Sequence, residues 1–352
     1  MATIAWIGLG HMGGPMSGHL VAAGHEVRGV DPDEACRAAA AERGVHVVDT
    51  IAEAVVGADA VFTSLPRGEH VREVLGGEGG VWATAPTTAL LLDTSTVDVA
   101  TSRFCHETSA ERGFRFVDSP ISGGIAGATA GTLTFMLGGE EAAVAEAAAL
   151  VEPMAGHVFA VGGPTMGIAS KLANNLMLFV SLLGLAEGSQ LAAELGLDAE
   201  TFFKVASVSS GDSWPLRTWY PVPGVVATSP ANRNFDATFT TVLAEKDLSF
   251  ALAAGEHAGL QLPAARIALD QFERLIEEGY GGKDCSLIVK YASPDGRVAG
   301  AVTPRQCPES SPSWGARCER ICSSSRERNV ARSSPPAAAL RKRPSKPSAR
   351  HA

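Results

Sequence analysis

The chain has 352 residues, 45% of them apolar and 19% charged, a globular composition long enough for two domains. Charge divides it: residues 301–352 carry 11 Lys and Arg against 3 Asp and Glu, whereas residues 1–300 carry 18 against 35. An acidic body lacks the broad basic face that neutralises phosphates, which argues against nucleic-acid binding and for small-molecule chemistry. The first basic residue is Arg28, and the longest strongly apolar run, residues 176–186, spans 11 residues. A secretory signal and a membrane span are therefore not expected, and a cytoplasmic protein is. Six cysteines, with no C-x-x-C pair in residues 1–300, suit free thiols in a reducing compartment and indicate no metal site.

In chain order, Thr3–Ile7 reads as a first strand and runs into Gly8-Leu9-Gly10-His11-Met12-Gly13, which opens a helix through residues 16–23. Strand, glycine spacing and helix together form a dinucleotide-binding turn. Gly8 permits the tight turn, Gly10 lets a pyrophosphate approach the backbone, Gly13 lets the helix pack on the strand, and the helix N-terminus supplies free N–H groups. The next strand, Glu26–Val30, runs into Asp31. A carboxylate there accepts hydrogen bonds from the adenosine ribose and repels a 2′-phosphate, so the expected cofactor is NAD rather than NADP.

Strands over residues 60–64, 89–93, 115–117 and 132–137 alternate with Ala-rich helical stretches, a pattern that predicts a parallel sheet covered on both faces. Leu65-Pro66 and Thr96 follow two of these strands, at the carboxyl ends where ligands of open sheets lie; as residue types alone they serve equally as turn chemistry. Asp118 to Gly124, with Gly127 and Gly131, is a second glycine cluster, too widely spaced for another dinucleotide turn. Its N–H groups suit a small carboxylate, and a flexible loop with a bulge fits the pattern equally well.

Beyond Gly162-Gly163-Pro164 the pattern is helical. Residues 165–194 form a long apolar helix, followed by helices over 198–208, 241–258 and 263–278, with a Pro/Gly/Asn-rich stretch at 214–234. Lys171 and Asn175 share one face of the long helix. Taken alone, Lys171 fits a lysine that snorkels to the surface somewhat better than a buried one. Asn174 and Asn175 beside it shift the balance toward a polar cleft that satisfies all three. Lys246-Asp247 offers a second cation, although a neighbouring Lys/Asp pair is ordinarily surface decoration. The nine histidines show neither ligand spacing nor a triad companion. Residues 301–352 hold 10 Ser and 7 Pro with little periodicity, a composition expected to be disordered, whether as a natural basic arm or as the product of a shifted reading frame. The expected division is residues 1–163, residues 164–295 and a tail at 296–352.

These residues resemble the β-hydroxyacid dehydrogenase family, from Thr3 to about Tyr291. The resemblance is carried by the stretch from Gly8 to Met16, by Asp118 to Gly124 with Gly131-Thr132-Leu133, by Lys171-Leu172-Ala173-Asn174-Asn175, and by Lys246-Asp247-Leu248. Ser209 to Trp214 followed by Tyr220 to Val225 is similar to the branch acting on 3-hydroxyisobutyrate. The resemblance implies an α/β Rossmann domain, a long interdomain helix and an all-α C-terminal domain that mediates homodimers or homotetramers. It implies Lys171 as the catalytic residue, with Asn175, Ser122, Gly123 and Gly124 around a small hydroxy-acid substrate. Leu65, Pro66, His70, Thr96 and Lys246 then fall at cofactor-contacting positions, beside the glycine turn and Asp31; relatives also carry Asn at the position of His70. Cys285 and Leu287 depart from an Asp-Phe-Ser-Ser run common in relatives, and residues after 300 have no family counterpart.

The resemblance further implies NAD-dependent oxidation of 3-hydroxyisobutyrate to methylmalonate semialdehyde, a step of valine degradation, with Lys171 exchanging the hydroxyl proton. An ordinary lysine, with a pKa of about 10.4, is a poor base at neutral pH, so burial or a cation such as Lys246 must lower it. Besides nucleic-acid binding by the basic tail, which the acidic body would oppose at long range, two rivals stand against this expectation. One is a reductase of tartronate semialdehyde or another short semialdehyde, which the residues around Trp214 disfavour. The other is a non-catalytic NAD-binding sensor, which needs neither Lys171 nor Asn175.

Overall fold

Four of the five residues of β1 (Thr3–Ile7) are buried. Ile4 and Trp6 join one apolar cluster while Ala5 and Ile7 join another, as a central strand covered on both faces requires. The computed structural model describes residues 1–293 and Gly296. After β1 come α1 (Gly13–Ala22), β2 (Glu26–Val30), α2 (Glu34–Ala41), β3 (His46–Val47), α3 (Ile51–Val55), β4 (Ala60–Thr63), α4 (Gly68–Gly76), α5 (Val81–Thr84), β5 (Leu90–Asp93), α6 (Val99–Glu111) and β6 (Arg115–Asp118). The chain continues through β7 (Ile121–Ser122), α7 (Gly124–Ala130), β8 (Leu133–Gly139), α8 (Glu141–Val151) and β9 (Ala155–Gly162). The helical part then comprises α9 (Met166–Glu194), α10 (Ala199–Ala206), α11 (Trp214–Trp219), α12 (Thr241–His257) and α13 (Pro263–Glu277), closed by a 3-10 segment over Cys285–Tyr291.

The strand order is β3-β2-β1-β4-β5-β6-β8-β7, with β9 on β8. β1 pairs with both β2 and β4, so the order reverses between β1 and β4, the crevice where dinucleotides lie in this architecture. The expectation of a wholly parallel sheet is corrected at one end, because β8 runs antiparallel to β6 and β7. The seven residues of α7 rise about 10 Å. That is too little to return the chain to the starting edge of a sheet, so the next strand comes back the other way. Three strands escape the sequence pattern: β3 and β7 have two residues each, and β9 is largely exposed and lacks an apolar period.

β9 also decides where the helical part begins. Asp118 of β6 pairs with Gly138 of β8, and Gly138 pairs with Gly162 of β9. The chain therefore enters α9 at the carboxyl end of β6. Within the helical core, Phe179, Leu182 and Ala186 of α9 pack with Leu248 of α12 and with Leu269 and Phe272 of α13. By length and composition α9 is sufficient to cross a membrane; its buried residues, which include Lys171, Asn175 and Ser189, pack within the chain as those of a core helix do. The stretch at 214–234 is not irregular throughout, since α11 starts at Ser213, whose hydroxyl accepts from Leu216 N–H at 3.3 Å. The 3-10 segment is held by Asp284, which accepts from the N–H groups of Thr238 and Phe239 and from the Ser286 hydroxyl. Cys285 and Leu287, the two departures from the family run, are buried there. The tail expected to be disordered lies outside the described residues, Gly296 apart.

Candidate functional site

The glycine turn is built as the spacing requires. Gly8 takes φ +98°, and a Cβ there would lie 2.3 Å from the carbonyl oxygen of Ser64. Gly13 has still less room, since a Cβ would meet Gly8 O at 1.9 Å and Trp6 Nε1 at 2.7 Å. Gly10 differs in kind: nothing approaches its Cβ position within 4 Å. Among the described residues, the N–H groups of His11 and Met12 make no hydrogen bond within the chain. Open space over Gly10 and free amides at the start of α1 fit a pyrophosphate.

Asp31 follows β2 and is bound on both oxygens, Oδ2 accepting from Leu9 N–H at 2.7 Å and Oδ1 from Asp33 N–H at 2.8 Å. It ties the glycine turn to the next loop, and each oxygen retains acceptor capacity for a ribose hydroxyl. Leu65, Pro66 and Thr96 follow β4 and β5 at the same carboxyl edge, where Leu65 N–H donates to Ser95 Oγ at 2.9 Å. Lys246 reaches this edge from α12, its Nζ donating to Pro66 O at 3.1 Å and Thr96 O at 2.9 Å. His70 is exposed on α4, and among the described residues its imidazole makes no hydrogen bond.

Lys246 and Asp247 are not surface decoration. They are only 6% and 3% exposed, and Asp247 Oδ2 accepts from Asn175 Nδ2 at 2.7 Å. Sequence reasoning missed Asp247 as a site residue, although a signal was present. Ala244, Leu248 and Ala251 mark the buried face of α12, and a residue three beyond 244 and four before 251 shares that face. Asp247 Oδ1 lies 3.3 Å from Lys246 Nζ without hydrogen-bond alignment and has no other partner.

Lys171 is 8% exposed, so it does not snorkel. Asn175 stands one turn further along α9 and is 1% exposed, and its Oδ1 accepts from Asn174 Nδ2 at 3.1 Å. Desolvation pulls the Lys171 pKa below its ordinary value; Asp247 opposes this and Lys246 reinforces it. The pair and its acidic partner thus form a polar island on an apolar helix, with the lysine held below its ordinary pKa by burial.

The second glycine cluster is anchored rather than bare loop. Ile121 and Ser122 pair with Phe135 and Thr134 of β8. Gly123 and Gly124 then take φ +131° and +63° and are exposed. No hydrogen bond joins Ser122, Gly123 or Gly124 to Lys171. What connects the two groups is Asp118, one residue before Ser119, which binds the start of α9.

Two family models cover the described chain. Residues 3–163 match the NAD-binding domain of 6-phosphogluconate dehydrogenase, and residues 165–292 match a domain described as the NAD-binding part of NADP-dependent 3-hydroxyisobutyrate dehydrogenase. A probable 3-hydroxyisobutyrate dehydrogenase of Mycobacterium tuberculosis is 42% identical over 289 residues, 82% of this chain and 97% of the relative. The NAD-dependent L-serine dehydrogenase of Pseudomonas aeruginosa is 35% identical over 294 residues, 84% of this chain and 99% of the relative. The solved structure of the M. tuberculosis 3-hydroxyisobutyrate dehydrogenase with L-serine superposes with a TM-score of 0.77 at 40% identity, covering 83% of this chain and 99% of that one. With a glycine turn shaped for a dinucleotide, a buried lysine one turn from a fixed asparagine, and relatives matched over nearly their whole length, the chain belongs to the 3-hydroxyisobutyrate dehydrogenases of the β-hydroxyacid dehydrogenase family.

Proposed function

We propose that this chain oxidises the primary alcohol of 3-hydroxyisobutyrate to methylmalonate semialdehyde with NAD, the reaction by which valine degradation would use it. The observation that carries the reading is Lys171: buried, lowered in pKa by desolvation, and one turn from an asparagine held by Asp247. When bound, the cofactor accepts hydride from the alcohol carbon. Lys171 in its neutral form takes the hydroxyl proton, and its ammonium returns that proton in the reverse direction. Asn175, with its amide oriented by Asp247, places the reacting oxygen against Lys171. Ser122 and the amides of Gly123 and Gly124 hold the substrate carboxylate. Gly8 to Gly13 and Asp31 hold the cofactor, with Leu65, Pro66, His70, Thr96 and Lys246 along its edge. Residues 1–163 serve as the cofactor domain and 164–295 as the domain that supplies Lys171 and the subunit contacts, in a cytoplasmic enzyme. Met177, Gly184 and Leu191 recur every seven residues on the exposed side of α9, which favours a homodimer or homotetramer built on that helix.

L-Serine is the second reading, favoured by the 35% identical serine dehydrogenase; it too presents a primary alcohol two carbons from a carboxylate carbon. Initial rates on 3-hydroxyisobutyrate, L-serine, glycerate and tartronate semialdehyde separate these. The highest kcat/KM is expected on 3-hydroxyisobutyrate, and a higher value on any of the others overturns the substrate assignment.

Cofactor choice is a separate prediction. A ribose hydrogen-bonded to a carboxylate, set against a repelled 2′-phosphate, favours NAD by at least about tenfold in kcat/KM. Asp31→Asn is expected to narrow that ratio. It also removes one acceptor from the pair that binds Leu9 and Asp33, so the NAD/NADP ratio rather than the absolute rate is the measurement. An unchanged ratio assigns Asp31 to the turn alone.

A further inference from the structure

The first turn of a helix leaves N–H groups without intrahelical partners, and a side chain at the N-cap ordinarily satisfies them. α9 lacks that device. Its N-cap, Thr165, sits in the left-handed region at φ 72° and makes no side-chain cap bond. The acceptor comes instead from another strand: Asp118, at the end of β6, takes Thr165 N–H on Oδ1 at 3.1 Å and Ile168 N–H on Oδ2 at 2.7 Å. Oδ1 also accepts from His106 Nε2 of α6 at 2.7 Å, and the imidazole is fixed edge-on against Phe116 at 4.8 Å between centroids.

The junction leaves no slack. A Cβ on Gly167 would lie 2.8 Å from Asp118 Oδ2, and one on Gly138 would lie 2.7 Å from Oδ1 and 2.4 Å from Gly167 N. Asp118 is 1% exposed, so its carboxylate is satisfied by these donors. Ile168 is one helical turn before Lys171. On the other side, Asp118 begins the segment that leads through Ser119 and Pro120 to Ser122, Gly123 and Gly124.

We infer that Asp118, oriented by His106, is a positioning residue that caps α9 from outside the helix and thereby sets Lys171 against the substrate loop. The inference rests on Lys171 being the proton-transfer residue. A displacement of about 1 Å at a reacting group can cost on the order of 100-fold in rate. A charged acceptor at a helix N-terminus also opposes fraying of the turn that carries Lys171.

The test uses the full-length enzyme with NAD and 3-hydroxyisobutyrate. Asp118→Asn keeps one acceptor oxygen and puts an amide N–H₂ where a donor now points in. It is expected to lower kcat by about 30- to 100-fold, with KM for NAD within about threefold because the glycine turn is untouched. It should also move the rise of kcat with pH to higher pH, since water entering a frayed first turn relieves the desolvation that lowers the Lys171 pKa. Loss of the Asp118 charge acting directly on Lys171 would move that rise the other way, so the sign of the shift separates position from charge. Wild-type kcat, a shift to lower pH, or a fall in kcat matched by equal loss of NAD binding overturns the inference.

His106→Leu and His106→Gln make the same decision if Asp118→Asn does not fold. The glutamine amide can still donate to Asp118, so it should recover most of the rate that leucine loses, and equal rates in the two overturn the inference. Lys171→Ala is run alongside. If it retains turnover, the proposed mechanism fails and this inference falls with it. If it lowers turnover by about 100-fold or more while Asp118→Asn keeps wild-type kcat, the inference alone fails.

Discussion

Lys171→Ala is expected to lower turnover by about 100-fold or more while NAD still binds, the range in which positioned acid–base groups contribute. Its side chain is buried in the polar island of α9, where among the described residues it makes no hydrogen bond or ion pair, and burial is the leading cause of its lowered pKa. A structural lysine would have its charge paired; this one is 8% exposed, largely withdrawn from water, and has no hydrogen-bonding partner among the described residues. The sign of the pH dependence follows. Alcohol oxidation needs the neutral amine, so kcat rises with pH through the lowered pKa; semialdehyde reduction needs the ammonium, so it falls through the same pKa. Single-turnover rates in both directions across pH, with NAD affinity measured by titration, check both statements. Near wild-type turnover in Lys171→Ala would remove Lys171 from the chemistry.

Gly13→Ala is expected to lower stability by about 3 kcal/mol or more, the upper range for overpacking against rigid atoms. The added Cβ would sit 1.9 Å from Gly8 O, which already accepts from Trp6 Nε1 at 3.0 Å. Neither neighbour is the end of a flexible side chain, so α1 must shift off β1 and carry its first-turn amides away from the cofactor. Gly10→Ala is the contrasting case. Its Cβ meets nothing, so the variant should keep wild-type stability and lose NAD affinity by at least about tenfold, because the methyl group fills the space through which the pyrophosphate approaches. Denaturant midpoints and calorimetric NAD titrations distinguish the two glycines. Wild-type NAD affinity in Gly10→Ala would mean that the open space at Gly10 is not a binding surface.

The glycine turn, Asp31 and the strands at Thr3–Ile7 and Glu26–Val30 were legible in the sequence because they are local: a short-range spacing fixes a tight turn, the first strand reads as an apolar run, and the second alternates Val27 and Gly29 inward with Glu26 and Arg28. The long helix was legible for the same reason, since its apolar residues recur over eight turns of α9. The antiparallel return of β8 was not, because strand direction depends on whether a short helix carries the chain back across the sheet, and no residue pattern states that. Nor was the depth of Lys171 and Lys246. A lysine on an apolar helix snorkels or is buried according to what covers it, and the cover comes from α12 and from the loops after β4 and β5, far away in the chain. Asp247 and Asp118 show the same limit from the acidic side. Each is an ordinary carboxylate in sequence, and each becomes an acceptor fixed to a distant donor, Asn175 in one case and the start of α9 in the other, only when the sheet and helices are assembled. The sequence by itself determined the chemistry available and the turn that holds a dinucleotide. The tertiary structure decided which charges are taken out of water and paired, because desolvation is a property of everything packed around a group rather than of its neighbours along the chain.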